Sequence, residues 1–207
     1  MELLLATRSV NKVREIRSIL GSISGVKVLD LDDMGLEWCD EEDALEPFNT
    51  FEENAHSKAE YFRAKTGFPT VADDSGLEVD ALAGAPGVRS KRFAPAGDLT
   101  GHQLDQANNS YLVERLGALE FEKRTGQYVC VAILLGLTPE MIVTRGEAKG
   151  FILAEPRGKG GFGYDPYFFD PDLAMTFAEL HPEQKNQLSH RGKAFRALAS
   201  ILERMEF

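Results

Sequence analysis

Apolar residues fall along this chain in short blocks with two different periods. Leu3-Leu4-Leu5-Ala6 is an unbroken run of strand length. Beyond the polar stretch from Thr7 to Asn11, apolar residues return at Val13, Ile16, Ile19 and Leu20, the spacing of one helix face. Thr50-Phe51-Glu52-Glu53 fits a capping box, which predicts a second helix running to about Lys65 and stopping before Gly67. Its register turns Phe51, Ala55, Ala59 and Phe62 inward and groups Asn54, Lys58 and Tyr61 on another face. Pro69 to Ala72 reads as a brief buried strand, and Asp73-Asp74-Ser75-Gly76 as the point where the chain leaves the sheet. Gly84 to Val88 is a turn-rich connection, and Leu104 to Leu116 a third helix. Tyr128 to Leu135 and Met141 to Ala148 are strands joined as an antiparallel hairpin. After Ser189, a good N-cap, a further helix turns Ala194, Leu198, Ile201, Leu202 and Met205 inward. Strands and helices grouped in this way predict an α/β fold with a mixed sheet.

Composition narrows the class. The 207 residues suffice for one substantial domain or two intimate lobes, and a single domain over 1–207 is expected. No apolar run approaches the ~20 residues of a spanning helix, and the first residues lack a basic leader, so neither a membrane span nor a signal peptide is predicted. Two distant cysteines, Cys39 and Cys130, favour a reducing cytoplasm over a disulfide scaffold. A net charge of -10 argues against a nucleic-acid partner, which would require a basic face. Between Lys27 and Lys58 there are eleven acidic residues and no Lys or Arg, whereas Arg157, Lys159, Lys185, His190, Arg191, Lys193 and Arg196 gather near the other end. An acidic pole for a metal and a basic pole for phosphate suit a nucleotide site; solvated helix faces explain the same clusters.

Three segments carry candidate chemistry. Asp73 and Asp74 at a strand end repel each other and call for a cation, for which Mg²⁺, a hard ion that takes carboxylate and phosphate oxygens, is the natural candidate. If the chain stays extended there, the two side chains point to opposite sides; an Asx turn is the bland alternative. The loop Thr7, Arg8, Ser9, Val10, Asn11 and Lys12 precedes a helix whose free N–H groups suit an anion, although the glycines of a Walker loop are missing. Gly158 to Pro166 has four glycines around Phe162, Tyr164 and Asp165, so that an aromatic ring could stack on a base; a glycine-rich hairpin with Phe162 in the core is the alternative.

These blocks together resemble the inosine triphosphate pyrophosphatase family, which hydrolyses ITP, dITP and XTP to the monophosphate and pyrophosphate. The matching residues are Leu5 to Lys12 with Glu15, Thr50 to Ala59, Ala72 to Ala81, Gly84 to Val88, Gly160 to Pro166, Thr176 to Leu180 and Ser189 to Ala194. The resemblance implies an elongated mixed twisted sheet with flanking helices, two lobes around a nucleotide cleft, Mg²⁺ as cofactor and a homodimer. It implies that Thr7 to Lys12 and Lys58 hold the triphosphate. Asp74 becomes metal ligand and proton acceptor, Glu46 its companion ligand, Asp73 a supporting ligand or loop organiser, and Ser75 a substrate contact. Phe162, Gly163, Tyr164 and Asp165 form the base pocket, completed by Lys185, His190 and Arg191. The chain departs from the family pattern at Ser9, Leu45 and Met175, where Asn, an acidic residue and Lys are common. The rival readings are a related pyrophosphatase with a preference for modified pyrimidines and a nucleotide-binding regulator without catalysis.

Overall fold

Residues 1–205 are described by a computed structural model. In chain order the elements are β1 (Glu2–Leu5), α1 (Val10–Leu20), β2 (Lys27–Asp30), α2 (Phe51–Thr66), β3 (Thr70–Val79) and α3 (Gly101–Leu116). They continue with β4 (Thr125–Leu135), β5 (Ile142–Ile152), β6 (Phe168–Asp170), β7 (Met175–Thr176), α4 (Pro182–Leu188) and α5 (His190–Leu202). Seven strands form one sheet in the order β2-β1-β3-β4-β5-β6-β7. β1 runs parallel to β2, pairing Leu5 with Asp30, and parallel to β3, pairing Leu5 with Val71. β6 is antiparallel to both β5 and β7. The sheet is therefore mixed, as the grouping of elements predicts. β4 and β5 are neighbours joined by only six residues, too few for a parallel crossover.

One expectation is overturned. Asp73-Asp74-Ser75-Gly76 does not leave the sheet, because β3 continues through it to Val79. Breaker residues outvote apolar ones in a sequence pattern, but here both aspartates find side-chain partners that keep the extended backbone buried. The same continuity removes the Asx-turn reading.

The chain forms two compact units. Among the described residues the first comprises Met1–Asp74, Cys130–Gly146 and 190–205; the second comprises Ser75–Val129 and Glu147–Ser189. In the first, Leu3, Leu5, Val71, Cys130, Ala132 and Leu134 from the strands meet Ile16 and Leu20 of α1 and Phe195, Leu198 and Leu202 of α5. α5 rests directly on β5: a Cβ at Gly146 would lie 2.1 Å from the His190 carbonyl oxygen and 2.5 Å from the Ala194 nitrogen. α2 starts as its capping pattern predicts, with the Thr50 hydroxyl accepting from the Glu53 N–H, and ends at Gly67 in the left-handed region. In the second unit, Leu77, Val79, Leu112, Leu116 and Ile152 close around Tyr128, Phe168 and Phe177. The Phe168 ring lies 4.6 Å from that of Tyr128 and 4.8 Å from that of Phe177. Among the described residues no helix is long and apolar enough to cross a membrane.

Candidate active site

Strand alternation sends the adjacent aspartates to different surroundings. Asp73 is 1% exposed and receives Lys12 Nζ at 2.9 Å, Arg191 Nε at 3.5 Å and the Cys130 thiol at 3.7 Å, all on Oδ2. Burial pushes its carboxyl up, but Lys12, Arg191 and Lys58 together hold it well below the usual carboxylate range. Asp74 accepts a 3.0 Å hydrogen bond from the Asn54 amide on Oδ2. Its carboxyl is raised, first by burial and also by the charge of Glu46, with Lys58, Lys12 and the Asn54 bond opposing. One aspartate is thus a fixed anion within a cage of cations, and the other is a more basic carboxylate.

α1 and α2 deliver the cations. Ser9 caps α1 by accepting from the Lys12 N–H at 3.4 Å, and the Thr7 hydroxyl accepts from the Ser9 N–H at 3.2 Å. No acidic residue occupies the first turn of α1, so its N–H groups keep their positive end. On α2, Asn54 and Lys58 are four residues apart on one face, as the register predicts. Lys58 Nζ donates to the Glu46 carboxylate and, at 2.7 Å, to the Asp73 carbonyl oxygen. Its side chain is 13% exposed, and three carboxylates nearby raise its proton affinity against the opposing effect of burial. Lys12, Lys58, Glu46, Asp73 and Asp74 are therefore brought together in the first unit.

Arg8 before α1, and Val10 and Asn11 in its first turn, are placed differently. Arg8 is committed to the acidic segment: its guanidinium pairs with Glu42 at 2.6 and 2.9 Å and donates to the carbonyls of Leu36 and Glu37. Val10 is 78% exposed, and the Asn11 side chain accepts from Arg14. Ser75 follows Asp74 on β3 as the first residue of the second unit. Arg191 and His190 lie buried in the first turn of α5, where Arg191 NH1 binds Glu15 at 2.7 Å in addition to its pairing with Asp73.

The aromatic loop belongs to the second unit. Lys185 of α4, 5% exposed, places its ammonium 2.6 Å from Asp165 Oδ2 and 4.4 Å from the centre of the half-buried Phe162 ring. Asp165 also accepts from the Phe162 N–H at 2.8 Å and from the Tyr128 hydroxyl at 3.4 Å, so it organises the loop. A Cβ at Gly161 would stand 2.2 Å from Asp165 Oδ2, which explains the glycine there. Phe162 is accordingly not a core residue of a plain hairpin. Tyr164 is buried, and its phenol, raised by burial and by the charge of Asp105, donates to the Ser90 carbonyl at 2.8 Å. The Thr176 to Leu180 block is scaffolding: Glu179 accepts from the Thr176 N–H, and the Ala178 carbonyl receives the Gly160 N–H.

Sequence reasoning assigned no role to Asn54, Glu15, Asp105 or Asn109, all of which hold this machinery in place. The sequence signal for Asn54 was its place on the same helix face as Lys58; the structure buries it to 1% exposure, where an amide must have polar partners. It takes the Phe48 N–H on Oδ1 at 2.9 Å and donates to the Phe48 carbonyl, tying the segment after Glu46 to Asp74.

Comparison with known proteins follows the same lines. Residues 3–201 match the Ham1 family. A Frankia alni protein named dITP/XTP pyrophosphatase is 44% identical over 98% of this chain and 97% of its own length. A Thermus thermophilus protein of the same name is 44% identical over 96% of this chain and 90% of its own. A HAM1 protein structure from Coxiella burnetii superposes with a TM-score of 0.85 at 35% identity, covering 99% of this chain and all of that one. The Staphylococcus aureus Ham1 structure gives 0.82 at 36% identity, with 98% of each chain covered. With matching sequence over nearly its whole length and a matching α/β fold, the chain belongs to the Ham1 family.

Proposed function

We propose that this protein hydrolyses the non-standard purine nucleotides ITP, dITP and XTP to the monophosphate and pyrophosphate. The observation that most supports this is the split pair on β3, with Asp73 neutralised by cations and Asp74 left more basic beside Glu46 and Lys58. That is the arrangement required to accept a proton from water next to a polyanion. The dITP/XTP pyrophosphatase relatives give the substrate class.

Mg²⁺ fits the donor set. Glu46 and Asp74 are hard oxygen donors whose mutual repulsion raises Asp74, and a dication relieves that repulsion. Among the described residues no group of three His, Cys, Asp or Glu side chains could hold a metal ion, so the protein offers a pair of carboxylates and no closed cage. Mg²⁺ is commonly held by one or two carboxylates, with water and phosphate filling its other positions. When bound, it supplies charge neutralisation at the phosphate oxygens and improves pyrophosphate as a leaving group.

Asp74 orients water toward the α-phosphorus and takes its proton, while Asn54 fixes the carboxylate. Lys12, Lys58 and the N–H groups of α1 stabilise the charge on departing pyrophosphate, and electrostatic stabilisation of this kind usually dominates such catalysis. Asp73 serves as the anchor that sets Lys12 and Arg191. In the second unit, Phe162 offers its ring for stacking on the base, and Lys185 donates to the 6-oxo group of hypoxanthine or xanthine, leaving adenine unpaired. The protein works as a cytoplasmic homodimer in this reading, which light scattering checks. Pyrophosphate release across a nucleotide panel, with and without Mg²⁺, is the direct test. ITP, dITP and XTP should lead and require the metal; a lead by a modified pyrimidine refutes the reading.

A further inference from the structure

The loop bearing Phe162 and Tyr164 is gripped by a helix that no part of the reaction described above uses. α3 turns Asp105 and Asn109, one helical turn apart, toward Gly163. Asp105 Oδ2 accepts the Gly163 N–H at 2.9 Å, and Asn109 Nδ2 donates to the Gly163 carbonyl at 2.8 Å. Asn109 also donates to the Asp105 carbonyl at 2.8 Å, which locks its own amide plane. Asparagine and aspartate are poor choices for a helix interior, and Asn109 is only 5% exposed. Their presence is accounted for by these bonds to the loop.

What the grip fixes follows from peptide geometry. The Gly163 N–H lies in the peptide plane shared with Phe162, and its carbonyl in the plane shared with Tyr164. Holding both groups orients both planes, at a residue whose φ of +60 only glycine adopts readily. The neighbouring Cα atoms, and the directions in which the two rings leave the backbone, are thereby set from α3. We propose that Asp105 and Asn109 are positioning residues for base selection: they clamp Gly163 so that the Phe162 ring presents a fixed platform. This rests on the reading of Phe162 as the base platform. The clamp acts on which base is accepted, and the carboxylates of β3 act on turnover.

The test is steady-state pyrophosphate release by Asp105→Ala and Asp105→Asn with ITP, XTP, dITP, GTP and ATP at saturating Mg²⁺, with folding checked by circular dichroism. Losing a charged acceptor should raise KM for the best substrate about tenfold and shrink its advantage over GTP and ATP, with kcat within about twofold. Asp105→Asn keeps an oxygen facing the Gly163 N–H and should restore most of the loss. If Asp105→Ala does not fold, Asn109→Ser carries the same expectation. A folded variant with wild-type KM and base ranking, or one that loses only kcat, overturns the clamp. If the wild-type protein treats all bases alike, the proposed substrate class is overturned, and the clamp is judged by KM alone. If it hydrolyses none of them, both fall.

Discussion

Asp73 and Asp74 differ by one position and by whether burial or the nearby cations prevail, so their removal should have opposite signatures. Asp73→Asn leaves Lys12 without its buried counter-charge and Arg191 with Glu15 alone; breaking a buried pair typically costs about 3–5 kcal/mol and should appear as a large fall in the denaturant midpoint. Asp74→Asn removes a charge that burial and Glu46 already disfavour, so stability should hold or rise. Its turnover should fall at least about a hundredfold, the scale of a lost general base, with nucleotide binding by calorimetry largely kept. The two cysteines separate in the same manner. Cys130 is fully buried, and burial with the charge of Asp73 raises its thiol, so the reactive thiolate is suppressed. A disulfide reagent should titrate one thiol, Cys39, in the native protein and the second only after unfolding.

Elements explain what a residue pattern left open. The capping box, the inward stripe of α2 and the face shared by Asn54 and Lys58 were legible because helix geometry is local. The path of β3 was not, because Asp-Asp-Ser-Gly has the composition of a turn, and partners that satisfy it as strand, Lys12, Asn54, Lys58 and Arg191 among them, are distant in sequence. The pairing of Arg8 with the acidic segment at 36–42 was likewise not legible, since its partners lie about thirty residues away. Packing between elements leaves no room at Gly146, where any Cβ meets the backbone of α5. Gly146→Ala should therefore destabilise by about 1–3 kcal/mol or more, read as a drop in Tm, since the strand or the helix must shift bodily.

For the whole molecule, the order of apolar blocks was enough to predict an α/β fold with a mixed sheet, and family resemblance supplied the chemistry. Two lobes were expected from the resemblance, but where the units divide was beyond reach, because β3, β4 and β5 each contribute to both and no linker marks the boundary. The side-chain grip of α3 on Gly163 was equally hidden, since hydrogen bonds across more than fifty residues leave no periodic trace. The first unit has a further consequence, in the time domain of synthesis. Its opening strand and helix expose Leu3, Ile16 and Leu20 until Phe195, Leu198 and Leu202 arrive, so a growing chain must carry that apolar surface until α5 has been made before it can be fully covered. A chain stopped before His190 should stay unfolded or aggregate, checked by soluble yield and circular dichroism. Cells making this protein would then depend on holding the nascent chain until α5 is complete.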